Sequence, residues 1–177
     1  MRISPSRMLS DWRKFPVGYW EVRPHYALDM NDTFQTVHTT EDYYDGPRSG
    51  VADFDGQPHY YRSIYLDTPQ WNPDEDRFEL SPVTPEVLAA ACEGAAIFKR
   101  WDTMRQATPG FTYTDEEFGA LPDERDRSRE LKQFLESSYA AAAQARRVLV
   151  HGKFRVCENS PSRLQVRWRL AEYDGVA

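Results

Sequence analysis

A chain of 177 residues falls in the size range of one domain and can bury roughly 70% of its unfolded surface, so a core forms without disulfides or metals. Apolar residues at 40% and aromatics at 14% exclude a disordered chain. A net charge of −6 with a pI near 5.3 argues against nucleic acid as the partner, which requires a broad basic footprint.

The two cysteines, Cys92 and Cys157, make neither a disulfide framework nor the four-ligand set of a structural zinc. They read as reduced structural thiols. Arg2, Arg7, Arg13 and Lys14 precede no apolar run of the secretory kind. The longest small-apolar runs, 88–92 and 140–143, fall far short of the ~20 residues of a membrane span. A cytoplasmic protein with no membrane partner is the expectation.

In chain order, residues 1–15 read as a loosely held leader ending at Pro16. Segments 17–23 and 34–40 carry β-branched and aromatic residues between breakers and predict two short strands. Asp55-Gly56 between 51–54 and 57–66 predicts a hairpin with a two-residue type I′ turn, because both central residues must take φ > 0. That turn pairs Phe54 with Gln57, Ala52 with His59 and Val51 with Tyr60. Ala52, Phe54, His59, Tyr61 and Tyr65 then share one face, and Val51, Asp53, Tyr60, Arg62, Ile64 and Leu66 the other. Neither face is simply polar, so both are expected to be covered.

Residues 67–76, with Pro69, Trp71, Pro73 and three consecutive acids, read as a surface loop, without the alternating ligands of a calcium loop. Thr84-Pro85-Glu86 is an N-cap, a first-turn proline and an acid at the positive helix end. A helix is predicted from Pro85 to about Trp101, burying Leu88, Ala91, Cys92, Ala95 and Phe98. Thr114 to Glu117 form a capping-box pattern for a short second helix stopped by Pro122. A third helix is predicted over 123–147, with a stripe of Leu131, Phe134, Leu135, Ser138, Ala142 and Ala145 and a helical pair of Asp123 with Arg127. Segment 148–170 alternates with period two on both sides of a turn at 158–162, the pattern of an antiparallel hairpin. Val148, Val150, Phe154, Val156, Leu164, Val166, Trp168 and Leu170 lie on its core face. His151, Lys153, Arg155, Arg167 and Arg169 lie on its cationic face.

The expected fold is therefore one α+β domain over 1–177. Its antiparallel sheet comes from N-terminal strands and two hairpins, at about 51–66 and 148–170, packed against two or three helices from the middle of the chain.

No phosphate-binding loop, dinucleotide glycine fingerprint, nucleophile elbow or helical zinc motif occurs, and no metal or cofactor is expected. The most suggestive stretch runs from Glu41 through Tyr43, Tyr44, Asp45 and Arg48 into Asp53 and His59. Carboxylates near one imidazole can do acid–base work or hold a cation, but Asp45-Gly46-Pro47 is also an ordinary turn. His25 and His38 read as structural or surface histidines. Like charges on one sheet face repel, so the stripe of Lys153, Arg155, Arg167 and Arg169 implies nearby acids, solvent screening or an anionic ligand.

The run 42–59, together with the hairpin 152–168, resembles small bacterial proteins of unassigned function that bear the same tyrosine-rich turn and hairpin. The resemblance covers roughly a third of the chain; it implies a shared fold and carries no site residue. The leading expectation is a non-enzymatic binding or interaction protein, whose partner is a protein or a small anionic ligand. It would dock through Tyr43, Tyr44, Arg48, His59 and Tyr61 or through the cationic strand face, since exposed aromatics and arginines carry interface energy. The alternatives are a small acid–base or metal-assisted enzyme centred on Asp45, Asp53 and His59, and a nucleic-acid accessory protein using the cationic face.

Overall fold

The structure, a computed structural model, describes residues 33–43, 46–64, 76–114 and 117–171. In chain order the elements are β1 (Gln35–Thr36), β2 (Asp42–Tyr43), β3 (Pro47–Phe54), β4 (Gln57–Ser63), β5 (Asp76–Pro82), α1 (Pro85–Ala107), α2 (Arg125–Ala145), β6 (Val148–Val156) and β7 (Leu164–Leu170). The strands form one antiparallel sheet in the order β1-β7-β6-β5-β4-β3-β2, so the α+β expectation holds. The expected strand at 17–23, Tyr65 and Leu66, and the loop at 67–75 lie outside the described residues.

Both hairpins form in the register their sequences dictate. Asp55 and Gly56 take φ of 53° and 71°, and Val51 pairs with Tyr60, Ala52 with His59 and Phe54 with Gln57. In the second hairpin Gly152 pairs with Trp168 and Phe154 with Val166, while His151 pairs with Arg169 and Lys153 with Arg167. Strand β5 is a correction, because no element was expected between the acidic loop and Thr84. Only Phe78 and Leu80 alternate with Arg77, Glu79 and Ser81, too short a run for a period-two signal. Pairing supplies what the pattern lacks: β5 lies between β4 and β6 and joins the two hairpins into one sheet.

β1 and β2 stand at opposite ends of the strand order yet belong to one bent stretch. Beyond Thr36, which pairs with β7, Val37 bridges to Ala52 in β3. His38 and Thr39 N–H then donate to the Val51 carbonyl at 2.8 and 3.1 Å, and Glu41 N–H donates to Ser49. The sheet therefore curls until this one stretch closes it into a barrel, which removes exposed edges. At the seam Gly50 is required, since a Cβ there would lie 2.2 Å from the Thr39 carbonyl oxygen.

Period-two alternation sends one set of side chains into the barrel. Val37, Ala52, Tyr61, Phe78, Leu80, Val150, Val166 and Trp168 form its buried core, with Phe54, Val148, Phe154, Leu164 and Leu170 packed against it. The rings of Tyr61, Phe78, Phe154 and Trp168 meet edge-on or tilted, with centroids 5.6–6.0 Å apart, the geometry their quadrupoles favour. Trp168 Nε1 donates to the Asp53 carbonyl at 2.8 Å.

The two helices cover the outer face of β3–β5. Thr84 caps α1 by accepting the Val87 N–H at 3.3 Å, with Pro85 in the first turn. The helix runs past Trp101 to Ala107, and its buried residues are Val87, Ala90, Ala91, Ile97 and Trp101. The expected stripe is thus rotated: Cys92 and Phe98 are exposed. Small apolar residues occupy more than one side of this helix, so periodicity alone does not choose between the two stripes. Thr114 N–H does donate to the Glu117 carboxylate at 3.0 Å, as a capping box requires, and Glu117 N–H returns to the Thr114 carbonyl. Glu117 lies in a 3₁₀ turn, and residues 115 and 116, on which the expected second helix also falls, lie outside the described residues. In α2 the buried residues are Leu131 and Tyr139, while Phe134 and Ala145 face outward. Arg127 binds Glu93 of α1 at 2.7 Å and Glu130 rather than the expected Asp123. Among the described residues no helix is long and apolar enough to cross a membrane.

Candidate functional site

The residues singled out in the sequence are dispersed. Tyr43 is 68% exposed on β2, whereas Tyr44 and Asp45 lie outside the described residues. Arg48 is buried, and Tyr61 is fully buried inside the barrel, its hydroxyl donating to the Thr39 carbonyl at 3.3 Å. Neither can belong to a surface docking patch. Asp53 pairs with His38 Nε2 at 2.8 Å, which gives that histidine a structural partner. His59 Nδ1 lies 2.9 Å from the Gln57 carbonyl, and its ring meets Phe54 edge-on at 5.4 Å. Burial lowers the His59 pKa below its ordinary 6.5, so the imidazole is neutral at pH 7. Asp53 and His59 are thus engaged with different partners and do not form one acid–base pair. Among the described residues no three His, Cys, Asp or Glu side chains gather as metal ligands.

The cationic stripe is present and wider than the hairpin. Lys153 faces Arg167 and His151 faces Arg169, and Arg77 of β5 extends the second row. Arg155 bonds the Gln165 amide oxygen at 2.7 and 3.1 Å and lies 3.8 Å from the Phe34 ring centroid, with Arg167 at 5.7 Å from the same ring.

A concavity of ligand size lies elsewhere, between the two helices and the outer face of the barrel. It is a cleft of about 630 Å³, within the size range of small-molecule sites. Ala91, Gly94, Ala95 and Phe98 form its α1 wall, and Leu131, Leu135, Ala140 and Ala143 the apolar part of its α2 wall. The space exists because these helices carry alanine and glycine where they face each other across it. A Cβ added at Gly94 would meet nothing within 4 Å.

The barrel side of the cleft is polar. The Tyr139 hydroxyl of α2 donates to Glu41 Oε1 at 2.5 Å. The Tyr139 ring stacks on Tyr60 of β4 with centroids 3.8 Å apart and planes within 10°. Beside them Arg62 binds Glu79 at 2.7 Å, and Arg147 binds the other oxygen of Glu79 at 3.2 Å. Glu41 is an exposed residue at the rim of the cleft, yet partial desolvation of its carboxyl raises its pKa above the ordinary 4.5, against the opposing effect of the tyrosine hydrogen bond. Burial and then the Glu41 charge push Tyr139 and Tyr60 upward, so both phenols remain protonated at neutral pH.

Part of this site was open to the sequence. Glu41 begins the acidic stretch singled out above, and hairpin parity places Tyr60 and Arg62 on one face. Tyr139 meets Glu41 across 98 positions, and no local pattern marks that contact. Comparison with protein families, curated proteins and solved structures finds no match to this chain.

Proposed function

We propose that this protein is a non-enzymatic binding domain that holds one small amphipathic molecule in the cleft between its helices and its barrel. The cleft carries this reading: a concavity with an apolar wall and a few convergent polar groups is the form of a ligand site, and here it lies outside the barrel interior, its walls sharing Ala91, Leu131 and Tyr139 with the clusters that pack the helices. The apolar body of the ligand would lie along α1 and α2, and its polar end would face Glu41, Tyr60 and Tyr139. Gly94→Leu tests it. The side chain enters open space on a helix, where leucine is a better former than glycine by up to about 1 kcal/mol, so the variant should fold at least as stably. In ligand-observed NMR with small aromatic fragments, those that bind the wild type should lose binding to Gly94→Leu. Binding that is unchanged by the substitution would refute the cleft.

A second reading, an anionic partner on the outer face of β5–β7, is favoured by the density of basic side chains there, where Lys153 faces Arg167, and Arg77, Arg155 and Arg169 lie on neighbouring rows. The double replacement Arg167→Gln with Arg169→Gln should change stability by no more than about 1 kcal/mol and weaken salt-sensitive retention on heparin. Unchanged retention would remove this reading.

A further inference from the structure

Resting on the cleft reading, we infer that the ligand is an organic ammonium ion, its charged nitrogen bound at Glu41 and its apolar body lying between α1 and α2. The charge pattern of the walls supports this. Three carboxylates, Glu41, Glu79 and Glu136, line the cleft against two cations, Arg62 and Lys132. Arg62 is turned to Glu79, which Arg147 binds from its other oxygen. Lys132 and Glu136 are one helical turn apart on the exposed side of α2, and the α1 wall carries no charge. Glu41 is left without a cation: among the described residues its side chain has the Tyr139 hydroxyl as hydrogen-bond partner and no ion pair.

A carboxylate at the rim of a cleft with an apolar far wall, and without a counter-charge, is suited to a cation that also donates hydrogen bonds. An ammonium group supplies both. Tyr139 already donates to Oε1, so Oε2 remains to accept from the ligand. The stacked Tyr60 and Tyr139 rings add electron-rich π systems of the kind that attract ammonium groups. A carboxylate ligand would instead meet the negative charge of Glu41, with the cleft's arginine already engaged. The raised pKa of Glu41 agrees with a carboxylate whose ionised form lacks a partner.

A matched set of probes separates this inference from the cleft reading beneath it. Phenethylamine, 2-phenylethanol and 3-phenylpropionate are titrated against the full chain at pH 7 and low salt, with wild type, Glu41→Gln and Gly94→Leu compared by ligand-observed NMR. The amine should bind at least tenfold more tightly than the alcohol, and the propionate more weakly than either. Glu41→Gln should cost the amine about that factor while leaving the alcohol unchanged, and Gly94→Leu should reduce both. If the alcohol or the propionate matches the amine and Gly94→Leu still abolishes binding, the ammonium assignment is wrong and the cleft stands. If amine binding survives Gly94→Leu, or no probe binds the wild type, both are overturned.

Discussion

Tyr60 and Tyr61 are neighbours on β4, and they show how differently the two faces of one sheet are used. Tyr61 points into the barrel, has no exposed surface and is ringed by Phe78, Phe154 and Trp168. Tyr60 points out, stacks on Tyr139 and borders a cleft lined by alanines, a glycine and charged groups. Inside, aromatic volume fills the space and polar groups are few and bonded; outside, the helices pack on Val51 through Val87, Ala91 and Tyr139, and small residues beside that contact leave room. Close packing stabilises, and room with convergent polar groups permits binding. The barrel interior is therefore where substitutions should unfold the protein, and the cleft is where they should change recognition.

The largest effect expected from this contrast is at Trp168, which is 3% exposed. Trp168→Ala should destabilise the protein by about 3–5 kcal/mol through lost burial and the cavity left behind, measured by equilibrium denaturation. A cost near zero would mean that the barrel is not the stabilising unit. Smaller, but of the same origin, is Gly152→Ala. The added Cβ would lie 2.6 Å from the Trp168 ring and 2.9 Å from that of Phe78, an overpacking that costs about 1–3 kcal/mol. Gly94→Leu provides the contrast, because its much larger side chain enters open space. If the alanine at 152 is tolerated better than the leucine at 94, the two faces have been assigned the wrong way round.

The smallest effect sharpens the cleft side. Because folding raises the Glu41 pKa above 4.5, its contribution to stability is fully present below that pH and is lost as pH rises through the folded value. Glu41→Gln cannot ionise there. The difference in melting temperature between Glu41→Gln and wild type should therefore shift in favour of the variant as pH rises from about 4 to 7. All other carboxylates titrate alike in both proteins and cancel. A flat difference, or one moving in favour of the wild type, would mean that Glu41 carries no uncompensated charge.

Sequence alone determined what depends on near neighbours. The Asp55-Gly56 turn determined the register of β3 with β4, since its positive φ values admit only one pairing, and alternation determined which side of β6 and β7 is core as far as Phe154; Val156, expected on that side, is 78% exposed at the end of β6. Thr84-Pro85 placed the start of α1. Tertiary structure decided the rest. Strand β5 has too few apolar residues to announce itself and exists because strands on both sides complete its hydrogen bonds. The buried stripe of α1 was decided by which side of an alanine-rich helix met the barrel and α2. The candidate site was partly legible through Glu41 and the parity of Tyr60 and Arg62. Its remainder joins β2, β4, β5 and α2 across tens of residues, and only barrel closure and helix docking bring Tyr139 to Glu41. Local patterns record what a residue prefers, whereas a cleft is the space that distant elements leave between them.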